Sequence, residues 1–303
     1  MAGASGTQGA LRAGSGGERE RTSAMTTRIV AWGRVMAVVH PFPSILNAVL
    51  VVGLFTLARG PLLGALVLAS GMLCLQFAIG AINDVVDAAG DAATKPIKPI
   101  TSGHLAPRTA LLIGVGAATI GLAVYAAWGP LVFLLGAAGL GCGLAYDLGL
   151  KRAGLGWLCW AVAFPILPLS TWLAAAGALP PHPELLLPLA AIAGPMLQLA
   201  NGLVDLERDA ELGIPAPVIR LGRRRSLAVL GILVAAVYGA TWVSLVGARV
   251  PAESLAVIAA GSVIAVSGIR LSAESRPSLR ERGWQAQAIA LALLAAGWVA
   301  AVR

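Results

Sequence analysis

Long apolar runs, separated by short polar segments, limit the fold of this chain more than any other feature. A membrane-spanning helix needs about 17 to 25 mainly apolar residues. Nine runs approach or meet this length, at residues 35–58, 61–82, 109–128, 131–146, 156–178, 185–204, 226–246, 252–271 and 284–302. Only 12% of the 303 residues are charged, against about 25% in soluble domains. The sequence therefore predicts an all-α integral membrane protein with about nine transmembrane helices.

Lysine and arginine residues alternate between the loops, and this alternation predicts the orientation of the chain. Nineteen of the 22 lie before the first run, in the loops after the second, fourth, sixth and eighth runs, or at the end of the eighth run. Arg59, Arg249 and Arg303 lie on the other side. Positive residues concentrate on the cytoplasmic side of a membrane, so we predict a cytoplasmic N-terminus, an outside C-terminus and a location in the cell membrane.

The same distribution accounts for the net charge of +8 without a nucleic-acid surface, and no nucleic-acid partner is expected. Residues 1–27 are rich in Gly, Ser, Thr and Arg and are predicted to form a disordered cytoplasmic tail. Residues 28–303 are predicted to form one transmembrane domain.

Half of the 14 acidic residues lie in two short clusters, each at the end of an apolar run. The clusters contain Asn83, Asp84, Asp87 and Asp91, and then Asn201, Asp205, Glu207, Asp209 and Glu211. A constant offset of 118 residues relates Asn83, Asp87 and Asp91 to Asn201, Asp205 and Asp209. This offset indicates an internal repeat in which the two acidic ends face each other across a cavity.

Both clusters have the side chains that a hard metal ion prefers. Residues four apart share one face of a helix, so each triplet should direct three oxygen atoms the same way. Carboxylate and amide oxygens without His or Cys suit Mg²⁺. We therefore predict Mg²⁺ as the cofactor and Asp87 and Asp205 as catalytic residues, with these ligands: Asn83, Asp87, Asp91, Asn201, Asp205 and Asp209.

Three acidic residues of the clusters lie away from these stripes. Asp84 is predicted to cap a helix or to contact a loop. For Glu207 and Glu211, pairing with Arg208 or with the run 223–225 is as consistent with the sequence as metal binding.

Basic residues follow each acidic cluster and indicate a phosphorylated substrate. Lys95, Lys98 and His104 follow the first cluster, and arginines at 223–225 follow the second. A metal ion together with Lys or Arg stabilises the negative charge that builds on a departing phosphate oxygen. The alternative is that these residues serve the membrane orientation alone.

The segment 83–103, with its Asn-Asp-x-x-Asp-x-x-x-Asp pattern and Lys95-Pro96-x-Lys98-Pro99, resembles the first signature of the UbiA family of intramembrane prenyltransferases. The segment 205–218 resembles the second signature, and 146–152 resembles a third. The resemblance implies a UbiA-like helical bundle within 28–303, with a cavity open to the cytoplasm and to membrane lipid. It implies Mg²⁺-bound isoprenyl diphosphate, which ionises to an allylic cation that a hydrophobic, usually aromatic, acceptor attacks.

By position, the resemblance also implies diphosphate contacts from Lys95, Lys98, Lys151 and Arg152. Two departures from the family pattern concern these contacts with diphosphate. Members commonly have Arg at the position of Lys98, and Lys or Arg followed by Thr at the position of Pro215-Ala216. Lysine cannot form the bidentate contact that arginine makes with phosphate.

An acceptor pocket is predicted from polar residues within or beside the apolar runs. His40 and Asn47 are seven residues apart and share a helix face, and intramembrane polar residues are often functional. A helix–helix hydrogen bond is the alternative for both. Tyr146, in the third segment, is also predicted to lie at this pocket.

Two other functions remain open at this stage. A UbiA-type terpene cyclase would use the same ionisation. A cyclase must stabilise migrating cations with aromatic ring faces, and the low aromatic content of 5% mildly disfavours this function. An ion-coupled transporter would also have duplicated helices, but transporters bind near the bilayer midplane. The run before Asn83 spans about 33 Å, so the acidic cluster is predicted at the surface.

Overall fold

The computed structural model describes residues 41–94 and 98–303. The predicted tail at 1–27, His40 and Lys95 lie outside the described residues. Within them the chain forms ten α-helices, and a π-helical turn, Tyr146–Leu150, follows the fourth. The helices are α1 (Pro41–Leu57), α2 (Leu62–Thr94), α3 (Pro107–Ala126), α4 (Pro130–Ala145), α5 (Gly156–Ala176), α6 (Pro183–Val204), α7 (Leu206–Glu211), α8 (Pro217–Ser244), α9 (Ala252–Ser272) and α10 (Pro277–Val302).

The predicted all-helical membrane fold is confirmed. Eight helices are long and apolar enough to cross a membrane, and α1 is apolar but has 17 residues. Together these nine helices correspond to the nine apolar runs. The short fourth run forms its own span, because α4 and the π-helical turn together extend over 21 residues. Six of the helices, as bounded here, have proline in their first turn, where its missing N–H has no intrahelical partner to lose.

The repeat places α2 and α6 in equivalent positions, but their ends differ. Helix α2 has 33 residues, or about 50 Å, and continues without a break through the first acidic cluster. Helix α6 ends at Val204, and the second cluster continues in the short helix α7. A single helical stripe is therefore confirmed for the first cluster. In the second cluster the chain leaves helical geometry at Asp205, so its residues do not lie on one continuous helix, although Asn201, Asp205 and Asp209 line one pocket.

Two groups of buried side chains follow the two halves of the repeat. One surrounds Phe55, Leu68 and Tyr125 in α1–α4, and the other surrounds Met196 and Leu230 in α6 and α8–α10. A large apolar cavity lies between the halves, since helices of both contribute to its wall.

Glycine permits the close approach of α5 to α6 beside this cavity. A Cβ atom at Gly194 would lie 2.2 Å from the backbone oxygen of Trp160. Any larger residue at this position would push α6 away from α5 and displace the acidic end that follows it.

Candidate active site

The first acidic cluster forms a network at the end of α2. The Asn83 Nδ2 atom donates to Asp87 Oδ2 at 3.3 Å and to Asp147 Oδ1 at 2.7 Å. Asn83 and Asp87 are one helical turn apart, as predicted, and Asp147 comes from the π-helical turn after α4. Asp147 is buried, with 3% of its surface exposed. The network therefore joins two segments that are distant in sequence.

Lys98 lies between two carboxylates of the first cluster. Its Nζ atom is 2.6 Å from Asp84 Oδ1 and 2.7 Å from Asp91 Oδ2. Burial lowers the pKa of Lys98, but the hydrogen bonds and negative charges of Asp84 and Asp91 outweigh it, so that the pKa is raised. The prediction that Asp84 contacts a loop is confirmed, because Lys98 lies in the segment between α2 and α3.

The second acidic cluster is organised by Arg208. Its Nη2 atom lies 3.1 Å from Asp205 Oδ2 and 3.0 Å from Asp209 Oδ1, and its Nη1 atom lies 3.9 Å from Asp91 Oδ1. Burial raises the pKa of Asp209, although Arg208 partly opposes this rise. Because Arg208 contacts both clusters, the prediction that the two acidic ends face each other is confirmed.

The third segment brings two more cations to the first cluster. Lys151 Nζ lies 2.8 Å from Asp87 Oδ2, and Arg152 Nη2 lies 4.0 Å from Asp87 Oδ1. The π-helical turn that precedes them is an uncommon conformation that is frequent at functional sites. It adds one residue to the helical turn, so that the chain can direct Asp147 and Lys151 toward the same network.

A polar pocket lies at the second cluster, beside Lys151 of the third segment. Its wall includes Tyr146, Lys151, Gln198, Asn201, Asp205, Arg208 and Asp209. Counted over the described residues, the surrounding site has six carboxylates and four cationic side chains: Asp84, Asp87, Asp91, Asp147, Asp205 and Asp209, with Lys98, Lys151, Arg152 and Arg208.

The donor chemistry of this pocket fits Mg²⁺, since carboxylate and amide oxygens are the ligands that a hard cation prefers. In the described part of the chain, no three His, Cys, Asp or Glu side chains are arranged to hold one ion. Instead, Lys98, Lys151 and Arg208 pair with these carboxylates.

The apolar cavity begins one helical turn further into the bundle. Ile79 on α2 and Leu197 on α6 belong to its wall, and each is four residues from an asparagine of the clusters. Asn47 also lines this cavity, whereas Tyr146 lines the polar pocket. Three aromatic rings connect the two spaces, since Tyr146 contacts Trp160 edge-on at 6.4 Å between ring centroids and Trp160 stacks on Phe164 at 5.7 Å.

Three residues of the site or its support are not identified by the sequence patterns. Asp147 belongs to neither acidic cluster, although its position beside Tyr146 in the third segment is a usable signal. Arg208 enters the sequence interpretation only as a partner for Glu207 and Glu211. Glu207 instead pairs with Arg280 at the start of α10, and the fully buried Arg280 bonds to both carboxylate oxygens of Glu207. Nothing in the local sequence indicates this pairing across 73 residues.

The fold and the site together define a class of multi-pass membrane proteins with carboxylates and cations at one end of an apolar cavity. Within that class the family is known. Residues 46–286 match the UbiA prenyltransferase family, and the chain belongs to this family.

Relatives agree with this assignment. Digeranylgeranylglyceryl phosphate synthase of Methanopyrus kandleri is 31% identical over 220 residues, which cover 69% of this chain and 76% of that protein. The synthase of the same name from Korarchaeum cryptofilum is 32% identical over 157 residues. This second match covers 51% of the chain and spans about half (53%) of that relative's length.

Solved structures share the fold. A UbiA homolog from Archaeoglobus fulgidus, bound to GPP and Mg²⁺, superposes with a TM-score of 0.66 at 17% identity. The superposition covers 88% of this chain and 99% of that one. At this identity the likeness concerns the helical architecture.

Proposed function

We propose that this protein transfers an isoprenyl group from an isoprenyl diphosphate to a hydrophobic acceptor in the membrane, with Mg²⁺ as cofactor and release of diphosphate. One observation carries this proposal. A cluster of carboxylates and cations lies one helical turn from an apolar cavity between the two halves of the bundle. An isoprenyl diphosphate has the same division into a charged head and an apolar chain.

The two clusters would hold the metal ion through Asn83, Asp87, Asp91, Asn201, Asp205 and Asp209. The ion would neutralise negative charge on the departing diphosphate. The A. fulgidus homolog, which shares this fold, is bound to both GPP and Mg²⁺. That combination of an isoprenyl diphosphate with a magnesium ion supports the proposal for this chain.

Lys98, Lys151 and Arg208 would change partners when substrate binds. Each is within 3.1 Å of a carboxylate of the clusters. A divalent ion at those carboxylates would displace the cations, and the diphosphate oxygens would offer them new acceptors. We therefore expect diphosphate to be bound by these side chains: Lys98, Lys151, Arg152 and Arg208. A contact from Lys95 remains a prediction from the first signature.

Three aromatic rings lie between the charged site and the apolar cavity, so they would border the allylic carbon of a bound donor. Tyr146 borders the polar pocket, and Trp160 and Phe164 continue from it toward the apolar cavity. A ring face attracts positive charge, by about 2 kcal/mol or more where water is excluded. These residues would stabilise the cation after the C–O bond breaks and keep water from it.

The acceptor defines two forms of the proposal. An aromatic acceptor remains the prediction from the sequence. The names of the relatives favour a second candidate, a prenylated glyceryl phosphate whose free hydroxyl takes the isoprenyl group. The cationic side chains of the site would also suit an acceptor that carries phosphate.

An assay with purified protein in lipid nanodiscs tests the proposal. Isoprenyl diphosphates would be supplied with Mg²⁺ and with either a quinone-type aromatic precursor or a geranylgeranylglyceryl phosphate. A joined product that is lost with a chelator is expected. A hydrocarbon formed without acceptor would indicate cyclisation instead, and unchanged donor under all conditions would contradict both enzymatic functions and leave transport to be measured.

Replacement of Lys98 tests its contact with diphosphate. A hydrogen bond to a charged group contributes about 1.5 to 3 kcal/mol, so Lys98→Ala should lower kcat/KM for the donor by about 10- to 150-fold. Lys98→Arg should keep most of the activity, because the family commonly has arginine here. Steady-state kinetics at saturating acceptor measure this effect, and wild-type constants in the alanine variant would remove Lys98 from the site.

The orientation of the chain is a separate prediction. With nine spans and 19 of 22 positive residues on one side, the acidic clusters and the N-terminus are expected in the cytoplasm. A reporter fused after Arg303 should therefore be exported. Moving the same reporter into the loop between α2 and α3 provides the control, which should stay inside. Cytoplasmic activity of the C-terminal fusion would contradict the orientation.

A further inference from the structure

The apolar cavity has a closed end on the side of the bundle away from the acidic clusters. Leu54, Tyr125, Thr241 and Trp298 belong to its wall there. Each lies within about one helical turn of the end of its helix, in α1, α3, α8 and α10 respectively. All four side chains are buried. They separate the cavity from the far surface of the bundle.

Trp298 is the largest of these residues and is held in place from two sides. Its indole Nε1 donates to Ser244 Oγ at 2.8 Å. Its ring meets that of His182 edge-on, at 6.2 Å between centroids. Because the His182 side chain is 58% exposed, the Trp298 ring lies between the cavity and the surface.

Helix α10 leads to this ring along a row of small side chains. Ala288, Ala292 and Ala295 line the cavity, followed by Trp298 on the same face. Spacings of three and four residues keep such positions on one side of a helix. The alanines leave room for a chain along α10, and the indole ends that room.

The distance from the charged site to the closed end of the cavity can be compared with the length of an isoprenyl chain. From Asn201 beside the polar pocket to Leu186 in the cavity wall, α6 advances 15 residues, or about 22 Å. An extended polypeptide gains about 1.2 Å for each backbone bond. At that rate an isoprene unit, with four bonds in its main chain, adds about 5 Å, so four units need about 19 Å and five about 24 Å.

We infer that Trp298 sets the maximum length of the isoprenyl chain, and that the protein accepts donors of up to about four isoprene units. The inference rests on the proposed function and adds a specificity-determining residue to it. A fifth unit would have to enter the volume that the indole occupies. Pocket walls of this kind discriminate against even one surplus methylene by about 10- to 200-fold.

Trp242 provides a matched control for Trp298. It also lies near the end of its helix, α8, and its indole Nε1 also donates to a serine hydroxyl, that of Ser262, at 3.1 Å. Its side chain faces outward, with 36% exposure against 4% for Trp298. A change at Trp242 removes the same chemical group without opening the cavity.

The experiment uses radiolabelled isoprenyl diphosphates of two to six units, with the full chain in nanodiscs and Mg²⁺. Equilibrium binding and diphosphate release are both measured for each length. In the wild type and in Trp242→Leu, kcat/KM should fall at least about tenfold between four and five units. Trp298→Leu should remove this step and admit the five-unit donor.

A second variant approaches the limit from the other direction. Ala292 is six residues before Trp298, or about 9 Å along α10. Ala292→Phe should therefore lower the maximum length by about two units. It gives an independent result even if removal of the Trp298 indole unfolds the protein, which thermal unfolding and gel filtration would reveal.

The outcomes separate this inference from the proposed function. If no donor of any length binds with Mg²⁺, the proposed function fails and the inference with it. If donors bind and react but kcat/KM does not fall between four and five units, only the inference is overturned. The same holds if this fall persists in Trp298→Leu and does not move to shorter donors in Ala292→Phe. Such a result would mean that the chain leaves the bundle sideways into lipid.

Discussion

Replacement of Asp87 or Asp205 by alanine is expected to reduce kcat by about 100- to 1,000-fold in each case, the loss typical of a group that stabilises charge in the transition state. Asp87 lies at the centre of the first network, where it contacts Asn83 and Lys151. Asp205 lies at the break between α6 and α7 and contacts Arg208. Each variant would lose a predicted metal ligand, and Asp87→Ala would also remove the carboxylate that pairs with Lys151.

Asp84→Ala is the matched control for Asp87→Ala. It removes the same side chain from the same helix, three residues away, but Asp84 contacts Lys98 rather than the centre of the network. Because Asp91 remains as a partner for Lys98, a much smaller loss of kcat is expected. Turnover is measured with folded protein and increasing Mg²⁺. Near-normal activity in either of the first two variants, or an equal loss in Asp84→Ala, would contradict the metal-site proposal.

Glu207→Gln is expected to lower stability by about 1–3 kcal/mol, the cost of weakening the hydrogen bonds to a buried charged group. The Arg280 guanidinium is fully buried, and it bonds to Glu207 and to the backbone oxygen of Val204. Loss of the Glu207 charge would leave this cation uncompensated. The α6–α7 junction that carries Asp205 would lose its attachment to α10.

Arg280→Met should be milder than Glu207→Gln. The Glu207 side chain is 56% exposed, so water can solvate its carboxylate once the arginine is gone. The double variant should resemble Arg280→Met. Thermal unfolding in one detergent ranks the stabilities of the three variants. A greater loss of stability in Arg280→Met than in Glu207→Gln would contradict this account.

The pH dependence of the Glu207–Arg280 pair has a definite sign. The hydrogen bond from Arg280 lowers the pKa of Glu207. A lowered carboxyl pKa contributes stability above the usual range for glutamate, and this contribution is lost as pH falls through the lowered value. The difference in unfolding temperature between wild type and Glu207→Gln should therefore be full at neutral pH and shrink in acid.

The candidate site could be predicted from the sequence only in part, and particular residues show where the limit lies. Asn83 and Asp87 are four residues apart on one continuous helix, so their shared face followed from helical periodicity. At Asn201 and Asp205 the same spacing does not correspond to one continuous helix, since α6 ends before Asp205 and α7 begins after it, although both residues line one pocket. Asn47 was predicted at the acceptor pocket and lies in the wall of the apolar cavity, while His40 and Lys95 remain predictions outside the described residues.

Local composition and helical periodicity were enough to predict the nine apolar spans, the two acidic clusters and the family signatures. The pairing of charges depended instead on how the helices pack. Asn83 reaches Asp147 across 64 residues, and Glu207 reaches Arg280 across 73. Packing also placed Trp298 at the closed end of the cavity and turned Trp242 outward. This division arises because hydropathy and helical periodicity act along a few turns of chain, whereas these contacts form only when separate helices come together.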